Sequence, residues 1–543
     1  MINLVPSMSS RPTQNLAQGP VRADAAAATP PRLLARCRQA ATSVWSRRLA
    51  AVVLGLALVW YMVLIAQKMG THAGSSDTSG YFNNAKLMLQ GHLHVERPRL
   101  EHFATDEVSD YAFVPLGFRP EGANKMVPTY ALGLSALYAS TAWALPLEKG
   151  AAVLTWLMVL GSLAVTYRLA RQLRMERSWA LGGAAVLAAC PLFQFLAVQA
   201  MSDMPSLLWT TLALTLAWDS RRRPWLAVLS GIAVSVAVFL RPSNALVLAP
   251  LIVALGADWR RWVLLGLGGL PGAAAWLATN HVLYGELVTT GYGDVSSAFA
   301  WANAPRSLRN YLEWLPVLLP ILPALPFAWR APETPSRPAL MAAVWALCCV
   351  GFYTFYYHTF ETWWYLRFIL PVFPALIALA LVGLRRLVRK IAGPPAAGTP
   401  WWRPAGAAAL TLVIAVTSVR IQVRTTQDQG ALETGASERI YPAACAWMRQ
   451  QVPGDALLIG MQMSGALTFY DDRPMLRWDQ LSKPLSARAY AAAARAGRPV
   501  YAVLFPFELE QVFHEHLAGR WTQVGTVDHV TVWRLEDPDG AMP

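Results

Sequence analysis

The chain has 543 residues, 55% of them hydrophobic and only 14% charged, with a formal charge of +14 and a mean hydropathy of +0.34. Soluble globular chains carry about a quarter charged residues, so this composition excludes an ordinary soluble protein. The excess of base falls in short arginine clusters between apolar runs, which is the positive-inside pattern and not a nucleic-acid surface. The five cysteines make no disulfide framework: Cys190, Cys348 and Cys349 lie inside apolar runs, Cys37 is N-terminal and Cys445 stands alone.

Residues 1–48 are rich in Ala, Pro, Ser and Arg without apolar periodicity, which predicts a disordered cytoplasmic tail. The run 49–67 follows Arg47-Arg48, begins too late and is too long for a cleaved signal peptide, and reads as a first span with the N-terminus inside. A span takes about 20 apolar residues. Further runs cover 150–168, 179–198, 203–219, 225–240, 243–257, 262–280, 311–329, 339–356, 366–384 and 405–420.

The stretch 129–146 decides the topology. As a span it would put Arg168/Arg171/Arg174/Arg177, Arg221-Arg222-Arg223 and Arg260-Arg261 outside. As a surface or re-entrant helix with Pro128 in its first turn, it leaves these clusters inside, together with Arg385-Arg386 and Arg389-Lys390. The charge rule selects the second arrangement. It predicts a polytopic α-helical membrane protein of about eleven spans plus juxtamembrane helices, its membrane module covering 49–420.

The outward segments are then 68–149, 199–202, 241–243, 281–310 and 357–365, and everything after about 421. That tail changes character. Short apolar runs at 456–460, 499–505, 522–527 and 530–535 predict strands, with helices over 438–451, 486–497 and 507–518 between them. A soluble α/β domain over 421–543 is expected, without a phosphate loop or a metal-ligand cluster.

The reactive side chains fall in the outward segments. In the first outer loop, 69–128, Asp77 precedes a helix whose Tyr81, Phe82, Ala85, Met88 and Leu89 share one face, predicting a helix along the membrane surface. Asp77 is either its N-cap or a carboxylate placed to accept a proton from a hydroxyl. His92, His94, His102 and Glu96 match no metal-ligand spacing and read as solvated loop residues. Lys125 and Tyr130 follow in Asn124-Lys125-Met126-Val127-Pro128-Thr129-Tyr130.

Asp203, in Met201-Ser202-Asp203-Met204-Pro205, either caps the next helix or orients a substrate. Arg241 joins two apolar runs, where an unpaired charge costs a few kcal/mol, so a function or a snorkelling side chain is expected. In the aromatic stretch Tyr356 to Phe368, Glu361 and Tyr365 lie beside Arg367. An interfacial aromatic belt accounts for the rings but not for Arg367, whose planar guanidinium suits a lipid phosphate.

Taken in this order, these segments resemble the GT-C glycosyltransferases, and among them bacterial proteins akin to protein O-mannosyltransferases and the lipid A aminoarabinose transferase. The resemblance is carried by Asp77 near the first span, Lys125–Tyr130, Met201–Pro205, Arg241-Pro242-Ser243-Asn244 and Trp364-Tyr365-Leu366-Arg367-Phe368-Ile369-Leu370-Pro371. It covers about residues 49–384. It implies a polyprenyl-phosphate sugar donor, an extracytoplasmic acceptor (glycan, lipid or protein) and an inverting displacement in a bacterial inner membrane, with the C-terminal domain periplasmic.

The resemblance also implies roles. Asp77 would be the general base, Lys125, Arg241 and Arg367 would stabilise the phosphate leaving group, and Tyr130, Asp203, Glu361 and Tyr365 would complete the substrate site. The chain has Asp77-Thr78 where the mannosyltransferases carry Asp-Glu, and it lacks a second proline in Val127-Pro128-Thr129. No cofactor is implied with certainty, and a divalent metal stays open. A transporter or flippase of lipid-linked sugars is the rival; it calls for charged sites near the bilayer midplane, where these runs hold few acids or bases.

Overall fold

The computed structural model describes residues 44–103, 108–122, 124–329, 334–393, 400, 402–471 and 473–540. The expected disordered tail lies almost wholly outside the described residues. The chain divides into two compact units, 1–61 and 62–543.

Among the described residues six helices are long and apolar enough to cross a membrane: Arg48–Lys68, Leu147–Gln172, Trp259–Tyr284, Ser336–Thr354, Trp363–Ala392 and Trp402–Asp428. Two bent pairs raise the number to eight, Arg177–Ala189 with Pro191–Ala197 (66°) and Trp301–Leu318 with Leu322–Ala328 (98°). The remaining apolar runs form shorter helices at Asp203–Asp219, Leu226–Leu240 and Pro242–Leu255. Each of the eleven apolar runs is therefore helical, but eleven full spans are not reached. Proline accounts for part of this. Pro191 and Pro242 open new helices at breaks, since proline offers no N–H and bends the residue before it out of the helical region.

The disputed stretch 129–146 holds a nine-residue helix, Gly133–Thr141. At 1.5 Å per residue it extends about 14 Å, under half of a hydrocarbon layer of about 30 Å. It is wedged in place. A Cβ on Gly133 would collide with the backbone of Phe239 and Leu240, and the buried Tyr138 hydroxyl meets Thr155 Oγ1 at 3.2 Å.

The first long loop forms the helix Ser76–Leu89 and a small antiparallel sheet of β1 (Val95–Glu96), β2 (Phe118–Glu121) and β3 (Lys125–Pro128), in the order β1-β3-β2. The helix does not lie on a surface as its one apolar face predicts: residues 78–85 are all buried. Tyr81, Phe82 and Ala85 pack with Leu134, Tyr138 and Ala151. On the polar side, Asn83 Nδ2 donates to the Gly465 carbonyl at 2.8 Å and Lys86 Nζ to the Phe469 carbonyl at 2.9 Å. Protein takes the place expected for solvent.

The C-terminal sheet consists of β4 (Leu457–Ile459), β5 (Met475–Leu476), β6 (Val500–Leu504), β7 (Arg520–Val527) and β8 (Val530–Asp537), in the order β5-β4-β6-β8-β7. β4 runs parallel to β5 and β6, and β8 is antiparallel to β6 and β7. Leu100, Val108, Ala112 and Phe113 of the first loop lie in one core with Leu457, Ile459, Leu476 and Trp478. The Arg477 N–H donates to the Ala112 carbonyl at 2.8 Å. First-loop and C-terminal residues therefore share one core.

Basic clusters and their acidic partners meet away from Asp203. Arg168 pairs with Asp219, and Arg385 and Arg389 reach Glu176 at 3.3 and 2.6 Å. Asp203 and Asp219 mark opposite ends of one 17-residue helix, about 24 Å apart at helical rise. Because Gly133–Thr141 is too short to cross, reporters fused after residue 122 and after residue 145 are expected to read the same side of the membrane. Opposite readings would restore 129–146 as a span and split the site described next.

Candidate active site

Two sequence turns interlock to build the floor of the site. The helix Leu226–Leu240 ends at Arg241, which is extended (φ −156°, ψ 114°) as the residue before a proline prefers. This turns the Arg241 side chain toward the start of Asp203–Asp219. Its Nη1 lies 2.8 Å from Asp203 Oδ1, and its Nη2 donates to Ser202 Oγ at 3.1 Å. Asn244 Nδ2 donates to Ser206 Oγ at 3.0 Å and to the Ala237 carbonyl at 2.7 Å. Ser243 Oγ and the Tyr353 hydroxyl share a hydrogen bond of 2.6 Å.

The Asp203 side chain is 1% exposed. Its contact with Arg241 is one of charge, because the Nη1 hydrogen is not aligned on the carboxylate; neither the two Asp203 oxygens nor Nη1 has a hydrogen-bond partner among the described residues. A buried carboxylate is tolerated only when its charge is met, so Arg241 is a condition of Asp203 being there.

The second pair closes the site from the other side. Asp77 stands in the first turn of Ser76–Leu89, and its Oδ2 accepts from Arg367 Nη1 at 2.8 Å. Neither Asp77 nor Asp203 is a helix cap. Ser75 and Ser202 occupy the cap positions, and both carboxylates are turned to guanidinium groups instead.

Arg367 lies in the 3₁₀ segment Trp363–Val372, with the rings of Trp364, Tyr365 and Phe368 at 5.5, 5.7 and 5.3 Å from its guanidinium carbon. Arg241 approaches the same Phe368 ring at 5.5 Å. The two arginines thus share one aromatic neighbour. Arg367 Nε is buried and has no hydrogen-bond partner among the described residues.

Tyrosines complete the circuit. The Tyr81 hydroxyl donates to Ser202 Oγ at 2.9 Å, and its ring lies 5.2 Å from that of Tyr130. The Tyr130 hydroxyl shares a 2.8 Å bond with Ser76 Oγ, and its ring lies 6.0 Å from Tyr292. Tyr292 is 53% exposed, so the circuit reaches the protein surface. A neighbouring recess beside Pro242 is lined by Leu132, Phe239, Trp276, Leu283, Tyr284 and Tyr292.

Burial alone would raise the Asp77 carboxyl. The Arg367 charge, the Tyr130 hydroxyl and the Arg241 charge outweigh it and hold the group below the ordinary aspartate value, so it is ionised at neutral pH. Burial, then the Asp77 charge, push the Tyr130 phenol well above its ordinary value and keep it a hydroxyl.

The structure therefore brings together Asp77, Tyr130, Asp203, Arg241 and Arg367, and Tyr365 reaches the group through its contact with Arg367. Glu361 is at the rim, one-third exposed, with its carboxylate 2.6 Å from His358 Nδ1. The His358 ring stacks on Tyr365 at 4.8 Å. Lys125 is not part of the cluster. It is exposed on β3, opposite Glu96 and Glu121, and at strand rise sits about 16 Å of chain before Tyr130. Among the described residues no group of three or more His, Cys, Asp or Glu side chains could hold a metal ion.

Tyr81, Ser202, Tyr292 and Phe368 belong to the site, although sequence reasoning gave them no role there. Tyr292 alone carried a local sign. It sits between Gly291, where a Cβ would collide with the Pro128 and Thr129 carbonyls, and Gly293, whose φ is +68°.

No protein-family model matches the sequence, and no curated protein matches it. Among solved structures, the chain is similar to the lipid A aminoarabinose transferase ArnT from Cupriavidus metallidurans bound to undecaprenyl phosphate. The TM-score is 0.56 at 17% identity, over 91% of this chain and 99% of that one. The apo state of the same protein gives 0.51 at 16%, over 90% and 98%. The chain shares the fold of this transferase. The oligosaccharyltransferase AglB from Archaeoglobus fulgidus, in complex with an inhibitory peptide and a dolichol-phosphate, gives 0.49 at 12%, over 86% and 70%.

Removing Arg241 strands a buried carboxylate. Arg241→Met is expected to cost about 3–5 kcal/mol of stability, read as a fall in thermal midpoint of the detergent-solubilised protein. Adding Asp203→Asn should recover much of it. Arg367→Met should cost less, because Asp77 is 24% exposed and water can take over part of the charge.

Proposed function

We propose that this protein is an integral membrane glycosyltransferase that moves a sugar from a polyprenyl-phosphate donor to an extracytoplasmic acceptor in a single inverting displacement. One observation carries this reading: an ionised first-loop carboxylate sits against a guanidinium whose Nε is unspent, with a second guanidinium across the same phenylalanine. A hydroxyl nucleophile needs a proton acceptor, and a departing phosphate needs charge-assisted donors in a water-poor site. The shared fold supports the same class, and the undecaprenyl phosphate of the first structural neighbour is the donor carrier to try first.

In this mechanism the acceptor oxygen attacks the anomeric carbon as the bond from that carbon to the phosphate oxygen breaks. The bond's electron pair leaves on the phosphate, and the acceptor proton passes to Asp77. Arg367 and Arg241 hold the phosphate as its charge grows. A phosphate drawing on Arg367 also loosens its hold on Asp77, which raises the basicity of the carboxylate when the donor is in place. Asp203 fixes Arg241, while Tyr130, Tyr365 and Glu361 border the space left for the sugar. Lys125, exposed and set among glutamates, has no part in this scheme.

The same reading puts the Asp203 end of the helices and the C-terminal domain on the periplasmic side of a bacterial inner membrane, with the N-terminus in the cytoplasm. The arginine clusters at the Asp219 end support it.

The assay uses purified protein in liposomes, radiolabelled undecaprenyl-phosphate sugars and envelope lipids and glycans as acceptors. Asp77→Asn is expected to lower label transfer by about 10²–10⁴-fold with a smaller fall in thermal midpoint than Arg241→Met, since the asparagine oxygen still accepts from Arg367. Unchanged transfer would remove Asp77 as the base, and scrambling of donor without transfer would point to a flippase.

The acid limb of kcat/KM should lie below the ordinary carboxylate range, because Arg367 favours the ionised form of Asp77. The sign is fixed. Activity needs the carboxylate, is full above its depressed pKa and falls as pH drops through it. Arg367→Gln should move the limb to higher pH.

A further inference from the structure

The stretch leading to Asp77 is held at Ala73, Ser75 and Thr78 from the C-terminal domain, and at Gly70, Thr71, His72 and Ser76 from the membrane module and first loop. Ser75 caps the helix Ser76–Leu89 without a side-chain cap bond, so the turn's orphan donors need outside partners. Glu438 supplies one: its Oε2 accepts from the Ser75 N–H at 3.0 Å and from Thr78 Oγ1 at 3.1 Å. A negative charge at a helix N-terminus is favourable in itself. Gly74 is required for this approach, since a Cβ there would collide with the Glu438 carboxylate.

Neighbouring residues are held in the same way. The Ala73 N–H donates to the Tyr470 hydroxyl at 3.1 Å, and that hydroxyl is bound in turn to Glu148. Gly435 packs so closely on Gly70 that neither position has room for a Cβ, and a Cβ on Gly465 would meet Ser79. Burial raises the Glu438 carboxyl above its ordinary value.

We propose that Glu438 is a positioning residue for the transfer reaction, holding the Ser75 amide and the Thr78 hydroxyl so that Asp77 is presented to the reacting hydroxyl. The C-terminal domain is then a working part of the active site. This rests on the transferase reading above. Misplacement of a reacting group by about 1 Å can cost about 10²-fold in rate, so a clamp two residues from Asp77 has leverage without touching substrate.

Glu438→Ala in the full chain should lower kcat for label transfer from undecaprenyl-phosphate sugars by about 10–100-fold, leaving the donor KM within about twofold. Glu438→Gln keeps an acceptor oxygen and should restore most of kcat. Glu438 borders a cavity of about 410 Å³, so truncation lets water in and does not hollow a packed core. Thr78→Val removes the other half of the clamp and should lower kcat several-fold without touching residue 438.

Hydrogen exchange gives a readout independent of activity. Amides of 73–82 should exchange at least tenfold faster in Glu438→Ala, and at the wild-type rate in Glu438→Gln. Faster exchange with undiminished kcat, or a fall in kcat that Glu438→Gln does not restore, overturns the positioning role while leaving the transferase reading intact. Wild-type protein that transfers no label from any donor overturns both.

Discussion

The pair between Asp77 and Arg367 joins residues 290 apart in the chain, and the arrangement of the site depends on it. Asp77 arrives on a helix of the first long loop, and Arg367 on the 3₁₀ turn that opens the Trp363–Ala392 segment. Neither position suits a lone charge. The guanidinium is 11% exposed and ringed by aromatics, where desolvation is unfavourable without a counter-ion. The carboxylate, three-quarters covered, would drift toward its neutral form without the arginine. Each charge makes the other tenable, and together they fix the loop helix against the membrane helices.

Repeating the device with Asp203 and Arg241 gives four formal charges that sum to zero. That balance lets a strongly polar group form at the edge of apolar helices. It also sets what the group can bind. A neutral cluster has no net field to attract an anion from a distance, so recognition falls to the directed, partly unspent donors of Arg367 Nε and Arg241 Nη1. Such donors select a group that can reach them, and under the proposed transferase reading that group is a phosphate delivered within the membrane on a lipid.

Much of the helical layout was legible because apolar runs report burial in lipid or protein directly, and all eleven runs are helical. Crossing is harder to read. The break at Arg241-Pro242 sits between runs that look nearly continuous by hydropathy, and only the extended backbone at Arg241 shows how the guanidinium leaves the helix axis. Asp77 and Asp203 were legible as residues at helix starts, where an N-cap and a paired carboxylate look alike. The distinction lies in Arg367 and Arg241, whose partners no local pattern names. Lys125 shows the opposite failure: its motif neighbours Pro128 and Tyr130 point the chain at the site, but strand alternation and its glutamate neighbours hold it outside.

The relation between the first loop and the C-terminal domain escaped sequence reading for a related reason. The domain was recognisable by alternating apolar residues, yet its core is finished by Leu100, Val108 and Phe113, more than 300 positions earlier in the chain. The helix Ser76–Leu89 looked amphipathic because its apolar residues share one face while others, Lys86 among them, are polar, and polar residues usually mark a solvent face. Here they mark a protein face that offers main-chain carbonyls at Gly465 and Phe469. The Phe469 carbonyl belongs to the last turn of the helix Ser464–Tyr470, where carbonyls lack intrahelical donors, and the Gly465 carbonyl in its first turn takes the Asn83 bond in addition. The loop helix and the C-terminal domain thus satisfy one another's unpaired backbone groups, which makes them one structure in energetic terms. The hydrogen bonds that join Glu438 to Ser75 and Thr78, and Asn83 and Lys86 to Gly465 and Phe469, connect the domain directly to the turn and helix that carry Asp77.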